Sequence, residues 1–124
     1  MHDQPSVLEL VTAVKSFIDE TAGPELTGHA AFHARVASNV LATVLRDLEQ
    51  RPKADLEERQ GLIDLLDAAG DESTEVLNQK LSALIRSGEM TADTPGLLAH
   101  LKTTTMAQVE IDQPRYSGLK TAKS

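Results

Sequence analysis

The stretch that decides the fold is residues 27–50, T-G-H-A-A-F-H-A-R-V-A-S-N-V-L-A-T-V-L-R-D-L-E-Q. Within it, an apolar side chain occupies every fourth position: Phe32, Val36, Val40, Val44 and Leu48. A four-residue step returns side chains to nearly the same side of an α-helix, so the spacing predicts one long helix. Arg51-Pro52 is expected to end it, and its broad apolar face predicts a central helix packed on two sides.

A first helix is predicted ahead of this stretch. Ser6 and Glu9 have the form of a capping box, in which the serine hydroxyl and the glutamate carboxylate bind each other's backbone amides. Apolar residues then recur at three- and four-residue steps to about Glu20. The run T-A-G-P at residues 21–24 is expected to break this helix.

Three further helices are predicted after the long one. The third should start at Ala54 or Asp55 and end at Gly70, and the fourth should lie between Ser73 and a C-terminal cap at Gly88. Thr94-Pro95 predicts the start of the fifth, a capping hydroxyl followed by proline in the first turn, which should run to about Ile111.

No β-strand alternation or hairpin signal accompanies these helices. The predicted fold is therefore an all-α, single-domain bundle of about five helices with a long central second helix. Residues 1–116 should form the domain, and residues 117–124, which are small, polar and basic, should form a flexible C-terminal tail.

The composition bears on which partners are expected. The chain carries 12 Lys and Arg against 19 Asp and Glu, a net charge of −7, which repels nucleic acid and anionic lipid. Its longest uncharged apolar stretch, Val36 to Leu45, is far shorter than the roughly 20 residues that span a bilayer. Without cysteine or a recognisable leader, the chain is expected to be soluble and cytoplasmic.

Two histidines are spaced for a shared metal ion. His29 and His33 lie four residues apart, so both imidazoles can face one side of a helix. A third ligand would have to come from His100, His2 or a carboxylate. The alternative is that these histidines hydrogen-bond within the bundle or at its surface.

A polar stripe and a polar cluster are candidate binding sites. Arg35, Asn39 and Arg46 share one side of the long helix, where Asn39 is expected to be partly buried. The stripe is either a solvated surface or a binding surface. Past the last helix, I-D-Q-P-R-Y at residues 111–116 either docks back on the bundle or contacts a partner, since tyrosine and arginine are common in interfaces.

Catalytic motifs do not appear in the sequence. It has neither a nucleophile elbow nor a glycine-rich phosphate loop, so no autonomous catalysis and no cofactor are expected.

Four stretches taken in order carry a family resemblance: M-H-D-Q-P at residues 1–5, A-F-H-A-R-V-A-S-N at 31–39, L-N-Q-K-L-S-A-L-I-R-S-G-E at 77–89 and I-D-Q-P-R-Y at 111–116. Together they resemble an uncharacterised bacterial family of small helical proteins, a domain of unknown function. That family is associated with, or fused to, aminoglycoside-phosphotransferase-like kinases and is also associated with acyl-CoA dehydrogenases.

The resemblance implies a non-catalytic accessory subunit of a kinase that phosphorylates a small hydroxylated metabolite, such as a hydroxyacyl-CoA on its way to degradation. ATP and magnesium would then belong to the partner. The residues that match the family's patterns are the candidate interface or pocket: Phe32, His33, Arg35, Asn39, Asp112, Gln113, Pro114, Arg115 and Tyr116. One alternative is a metabolite-binding protein or minor enzyme that uses His33, Arg35 and Asn39 between helices. Another is a homodimer that buries the apolar face of the long helix between copies.

Overall fold

The computed structural model describes residues 4–124, and within that range it contains helices and no strand. Five helices have seven or more residues: α1 (Val7–Phe17), α3 (Gly28–Leu66), α4 (Thr74–Ser87), α5 (Leu97–Asp112) and α6 (Ser117–Lys123). A π-helical turn (Ile18–Ala22) and the short α2 (Gly23–Glu25) follow α1. The all-α class and the long second helix are confirmed.

The chain divides into two compact units, with the boundary between Arg51 and Pro52. We call residues 4–51 the N-terminal unit and residues 52–124 the C-terminal unit. Over the described part of the chain, no helix is long and apolar enough to cross a membrane. Residues 1–3, which include the proposed metal ligand His2 and the start of the M-H-D-Q-P stretch, lie outside the described residues.

The predicted capping box opens α1. The Glu9 backbone N–H donates to Ser6 Oγ at 3.1 Å, and the Ser6 backbone N–H donates to Glu9 Oε1 at 3.4 Å. These bonds satisfy two amides that a helix start otherwise leaves without partners.

The first helix was predicted to break at residues 21–24, but the backbone stays helical there. The α-helix ends at Phe17, but a π turn carries helical backbone across Gly23 and Pro24, and the extended residue is Leu26. In that turn the Gly23 N–H donates to the Ile18 carbonyl, five residues back. A Cβ on Gly23 would lie 2.7 Å from the Ile18 oxygen, so the π turn requires glycine there.

The N-terminal unit is a helical hairpin. Leu8, Val11, Lys15 and Ile18 are half-buried along one side of α1, and the matching line on α3 contains buried Ser38 and half-buried Leu41 and Leu45. The Ser38 hydroxyl donates to Asp19 Oδ1 at 2.5 Å. Because the chain reverses between these two residues through a short link, we infer that α1 and α3 pack antiparallel along these lines.

Pro52 does not end the long helix, so the predicted second and third helices are one helix. Proline removes a single backbone hydrogen bond and crowds the carbonyl four residues before it, at a cost of about 3 kcal/mol. Helical sequence on both sides outweighs that local cost. The prediction was wrong because it treated proline as a terminator, whereas a long helix can contain one.

The C-terminal unit has a closed apolar core. Ser73 Oγ accepts the Val76 N–H at 3.2 Å to cap α4, and Gly88, with φ of 83°, ends it, as predicted. The core is formed by leucines from three helices, with Ile63, Leu65, Leu66, Ala68 and Met90 packed around them: Leu62 of α3, Leu77 and Leu81 of α4, and Leu97 of α5.

The start of α5 lies later than predicted. Thr94 closes a turn in which its Oγ1 accepts the Thr91 N–H at 2.9 Å, so its hydroxyl is used before the helix begins. The N-cap is Gly96 at φ of 87°, a left-handed conformation that glycine adopts readily.

Residues 117–124, which we expected to form a flexible tail, include helix α6. Its Leu119 is buried, and Lys123 Nζ lies 2.7 Å from Glu110 Oε1 of α5.

Candidate functional site

The N-terminal hairpin has two free faces, one on each side of the line where α1 and α3 meet. The buried and half-buried residues along that line form what we call the contact line. A residue that follows a contact-line residue in the sequence points to one side, and a residue that precedes it points to the other, because each residue turns the helix by about 100°. In an antiparallel pair, corresponding positions of both helices fall on the same face. The sequence of each helix therefore determines the chemistry of each face.

The first of these, the polar face, consists of residues that follow the contact line: Glu9, Thr12 and Ser16 of α1, and Arg35, Asn39 and Arg46 of α3. Phe32 lies on the same side of α3 and is half exposed. Within residues 4–124, the side chains of Arg35 and Asn39 make no hydrogen bond or ion pair. These two polar side chains and the Phe32 ring are therefore available to another molecule.

Asn39 is exposed, contrary to the predicted partial burial. The polar side chain that is buried is its neighbour Ser38, at 7% exposure. The prediction was wrong by one residue, which on a helix is a rotation of about 100°. Ser38 had no distinguishing signal in the sequence, because its partner Asp19 belongs to another helix.

Asp19 joins the two helices electrostatically. Its carboxylate accepts hydrogen bonds from Lys15 Nζ at 2.7 Å and from Ser38 Oγ. These bonds, that from Lys15 first, hold the pKa of Asp19 below its ordinary value because they stabilise the ionised form. The hydrogen bond to Ser38 links the end of the first helical segment to α3.

The opposite side, the apolar face, consists of residues that precede the contact line: Val7, Leu10, Val14 and Phe17 of α1, and Val40, Val44 and Leu48 of α3. All seven are exposed, including Phe17 at 58% and Val40 at 56%. In the single chain, the prediction of a helix packed on two sides is therefore wrong for this part of α3.

The four-step ladder was misread because four residues turn a helix by about 400°, so each step adds about 40°. From Phe32 to Leu48 the ladder turns by about 160°. It begins on the polar face and ends on the apolar face.

His33 lies apart from the other three candidates of the long helix. It precedes half-buried Ala34 and so points toward the apolar side, although its ring meets the Phe32 ring edge-on at 5.6 Å between centroids. Among residues 4–124 there is no group of three or more His, Asp or Glu side chains placed to hold a metal ion. His29 and His33 are both exposed.

The C-terminal candidates form the turn between α5 and α6. Asp112 ends α5 and accepts a hydrogen bond from Gln108 Nε2 at 2.6 Å, while Gln113 is the C-cap. The Gln113 carbonyl accepts the Tyr116 N–H at 3.0 Å, and the Tyr116 carbonyl accepts the Leu119 N–H at 3.1 Å. The I-D-Q-P-R-Y stretch is thus a connection that sets the direction of α6 and leaves Tyr116 exposed.

A groove that sequence reasoning missed runs between α5 and α6. It measures about 470 Å³, and its lining is apolar except for Lys102, Thr105 and the Tyr116 hydroxyl. Gly118 allows the Tyr116 ring to lie against the backbone, since a Cβ there would lie 2.4 Å from a ring carbon. No groove was expected because residues 117–124 were not predicted to be helical.

A second groove, of about 390 Å³, lies where α3 faces the start of α5. His100, Glu57 and Asp64 line it, and Gly61 forms its floor. A Cβ on Gly61 would lie 2.6 Å from His100 Nδ1, so a larger residue would displace the imidazole. A glycine in the middle of a helix was the signal in the sequence for this close approach.

The candidate residues are divided between the two units. Phe32, Arg35 and Asn39 lie on the polar face of the N-terminal unit, and Asp112, Gln113, Arg115 and Tyr116 belong to the C-terminal unit. The described residues present three exposed features: a polar face, an apolar face and an apolar groove.

A sequence model for a domain of unknown function, DUF6285, matches residues 24–116 of the chain. The chain belongs to this family. Neither a curated protein nor a solved structure gives a match.

Proposed function

We propose that this domain is a non-catalytic partner subunit of an aminoglycoside-phosphotransferase-like kinase that acts on a small hydroxylated metabolite in the cytoplasm, such as a hydroxyacyl-CoA. The proposal comes from the resemblance carried by four stretches of the sequence. In this proposal ATP and magnesium bind to the kinase. The domain supplies a surface that stabilises or completes it.

The observation that supports a partner role is the polar face. Arg35, Asn39 and the Phe32 ring are exposed on one side of α3, and the two polar side chains have no partner within residues 4–124. Arginine and aromatic side chains are enriched among residues that dominate binding energy at interfaces. Glu9 on the same face adds a carboxylate, so the surface offers both signs of charge.

The test is affinity capture of the tagged chain from its native cell, followed by mass spectrometry. Capture of a kinase of this class is expected for the unaltered chain. Arg35→Glu should reduce that capture at least about tenfold, the effect of roughly 1.4 kcal/mol, because it reverses a charge in the proposed contact. Arg86→Glu makes the same change at an exposed position of α4 and should leave capture unchanged.

Two results would count against the partner role. One is a kinase that is fully active and soluble in cells lacking this protein. The other is equal capture by the unaltered chain and by Arg35→Glu, which would remove the polar face from the contact.

A second candidate function is binding of an apolar metabolite, which the groove between α5 and α6 favours. Its volume lies within the range of small-molecule sites, about 300–1,000 Å³. Lys102 provides one cation for the anionic end of an aliphatic ligand. Titration with decanoate should shift the NMR resonances of Met106 and Tyr116. Met106→Glu should abolish these shifts. Spectra of the unaltered chain that do not change on titration would reject this function.

A further inference from the structure

The apolar face of the N-terminal hairpin is exposed within the described part of its unit, residues 4–51. It joins α1 and α3 in one continuous surface, and its seven side chains carry no charge. These side chains are 37–60% exposed. Contiguous apolar surface of this kind marks an interaction site on a soluble protein.

We propose that the occupant is a second copy of this chain, so that two hairpins pack apolar face to apolar face as a four-helix bundle. Stable interfaces bury about 800 Å² from each partner, and homodimer interfaces are about 65% apolar. Seven exposed apolar side chains from each copy would supply the apolar centre of such an interface.

Charge is the second argument. With a net charge of −7, two copies repel each other unless the surfaces in contact are neutral. The seven apolar side chains of the apolar face are uncharged, and His33 points to the same side, whereas the polar face carries Glu9, Arg35 and Arg46. In a two-fold symmetric dimer, the same surface of each subunit forms the interface. A surface of uncharged side chains therefore brings no like charges together.

Helix geometry is the third argument. A pair of helices has no interior, and within residues 4–51 not one hydrophobic side chain is buried. Two such pairs can enclose an apolar core as a four-helix bundle. Residues 7–25 are helical throughout, so both members of the hairpin can contribute helix to such a bundle.

This inference does not depend on the kinase. The polar face lies on the other side of the hairpin and remains open in the dimer.

The first experiment is sedimentation equilibrium of the full chain. The expected particle has twice the chain mass of 13.4 kDa. Val40→Glu should raise the dissociation constant at least about 100-fold, because the dimer would bury an unpaired carboxylate. Asn39→Glu, one residue away on the polar face, should change it less than about threefold.

Circular dichroism should show equal helix content in both variants, since each residue is exposed in the single chain. A chain that stays monomeric at several hundred micromolar overturns the proposal, and so does a dimer that Val40→Glu leaves intact.

A second experiment uses the absence of cysteine from the chain. Val40→Cys and Asn39→Cys each introduce one thiol, and both positions are exposed in the single chain. In the dimer, the Val40→Cys thiol should react at least about tenfold more slowly with a maleimide than the Asn39→Cys thiol. Equal rates, or protection at Asn39→Cys instead, would place any self-contact elsewhere and overturn the proposal.

Discussion

The two units of this chain use the same kind of amphipathic helix but differ in whether they enclose a core. In the C-terminal unit, Leu62 and Leu77 are 0% exposed because helices α3, α4 and α5 surround them. In the N-terminal unit, among residues 4–51, Ser38 is the one buried side chain. Two helices shield one line of side chains, and a third is needed to enclose an interior. Stability should therefore reside mainly in the C-terminal unit.

The sharpest test of this difference is truncation of one apolar side chain in each unit. Leu77→Ala should lower the free energy of unfolding by about 2–5 kcal/mol, because it leaves a cavity in a closed core. Val44→Ala, at an exposed position, should lower it by less than about 0.5 kcal/mol. Urea denaturation at a concentration low enough to favour monomers measures both. Losses of similar size would show that the two units do not differ in this way.

Removing a helix cap should show the same difference between the two units, with a smaller change in stability. Ser6 caps α1 and Ser73 caps α4, and each serine-to-alanine change costs about 1 kcal/mol of local helix stability. In Ser73→Ala this loss should appear in global unfolding, since α4 carries two core leucines. In Ser6→Ala it should appear as faster hydrogen exchange confined to α1.

Ser82→Ala is the control for the caps, because Ser82 is an exposed serine inside α4 rather than at its end. It should leave both measurements unchanged. Global destabilisation by Ser6→Ala equal to that by Ser73→Ala would contradict the expected difference between the units.

Local interactions are the part of the fold that the sequence predicts well. The capping box at Ser6 and Glu9, the serine cap at Ser73 and the glycine end at Gly88 each depend on residues within a few positions of one another. A short pattern contains all the atoms involved, so it predicts the element without knowledge of the rest of the chain.

The features that were mispredicted depend on longer-range contacts or on accumulated rotation. Helix α3 continues through Pro52, which a local rule treats as an end. The apolar ladder turns gradually around the helix and so does not form a single buried stripe. The salt bridge between Lys123 and Glu110 accompanies helix α6, in a segment that the sequence analysis expected to be a flexible tail.

The candidate site divides along the same lines. The four-residue offset of Arg35 and Asn39 correctly placed both on one side of α3, because that relation is local. Burial of Ser38 and its bond to Asp19 require knowledge of how α1 packs, which no spacing on α3 contains. The groove at Tyr116 likewise requires α6.

The smallest expected effect is a dependence of hairpin stability on pH through Asp19. Lys15 and Ser38 hold the pKa of this carboxyl below its ordinary value of 3.8 in the folded chain. A pKa that is lower in the folded state stabilises folding above the unfolded value, and this contribution is lost as the pH falls through the folded value. Asp19→Asn should therefore destabilise α1 near pH 7, measured by hydrogen exchange, and the difference from the unaltered chain should shrink below about pH 4.

Asp93→Asn is the control for net charge. It removes the same charge in the C-terminal unit, where the Asp93 side chain makes no hydrogen bond within residues 4–124. If the Asp19 variant differed equally from the unaltered chain at both pH values, the ionised carboxylate would not be what joins α1 to α3. The hairpin would then be held by its half-buried contact line alone.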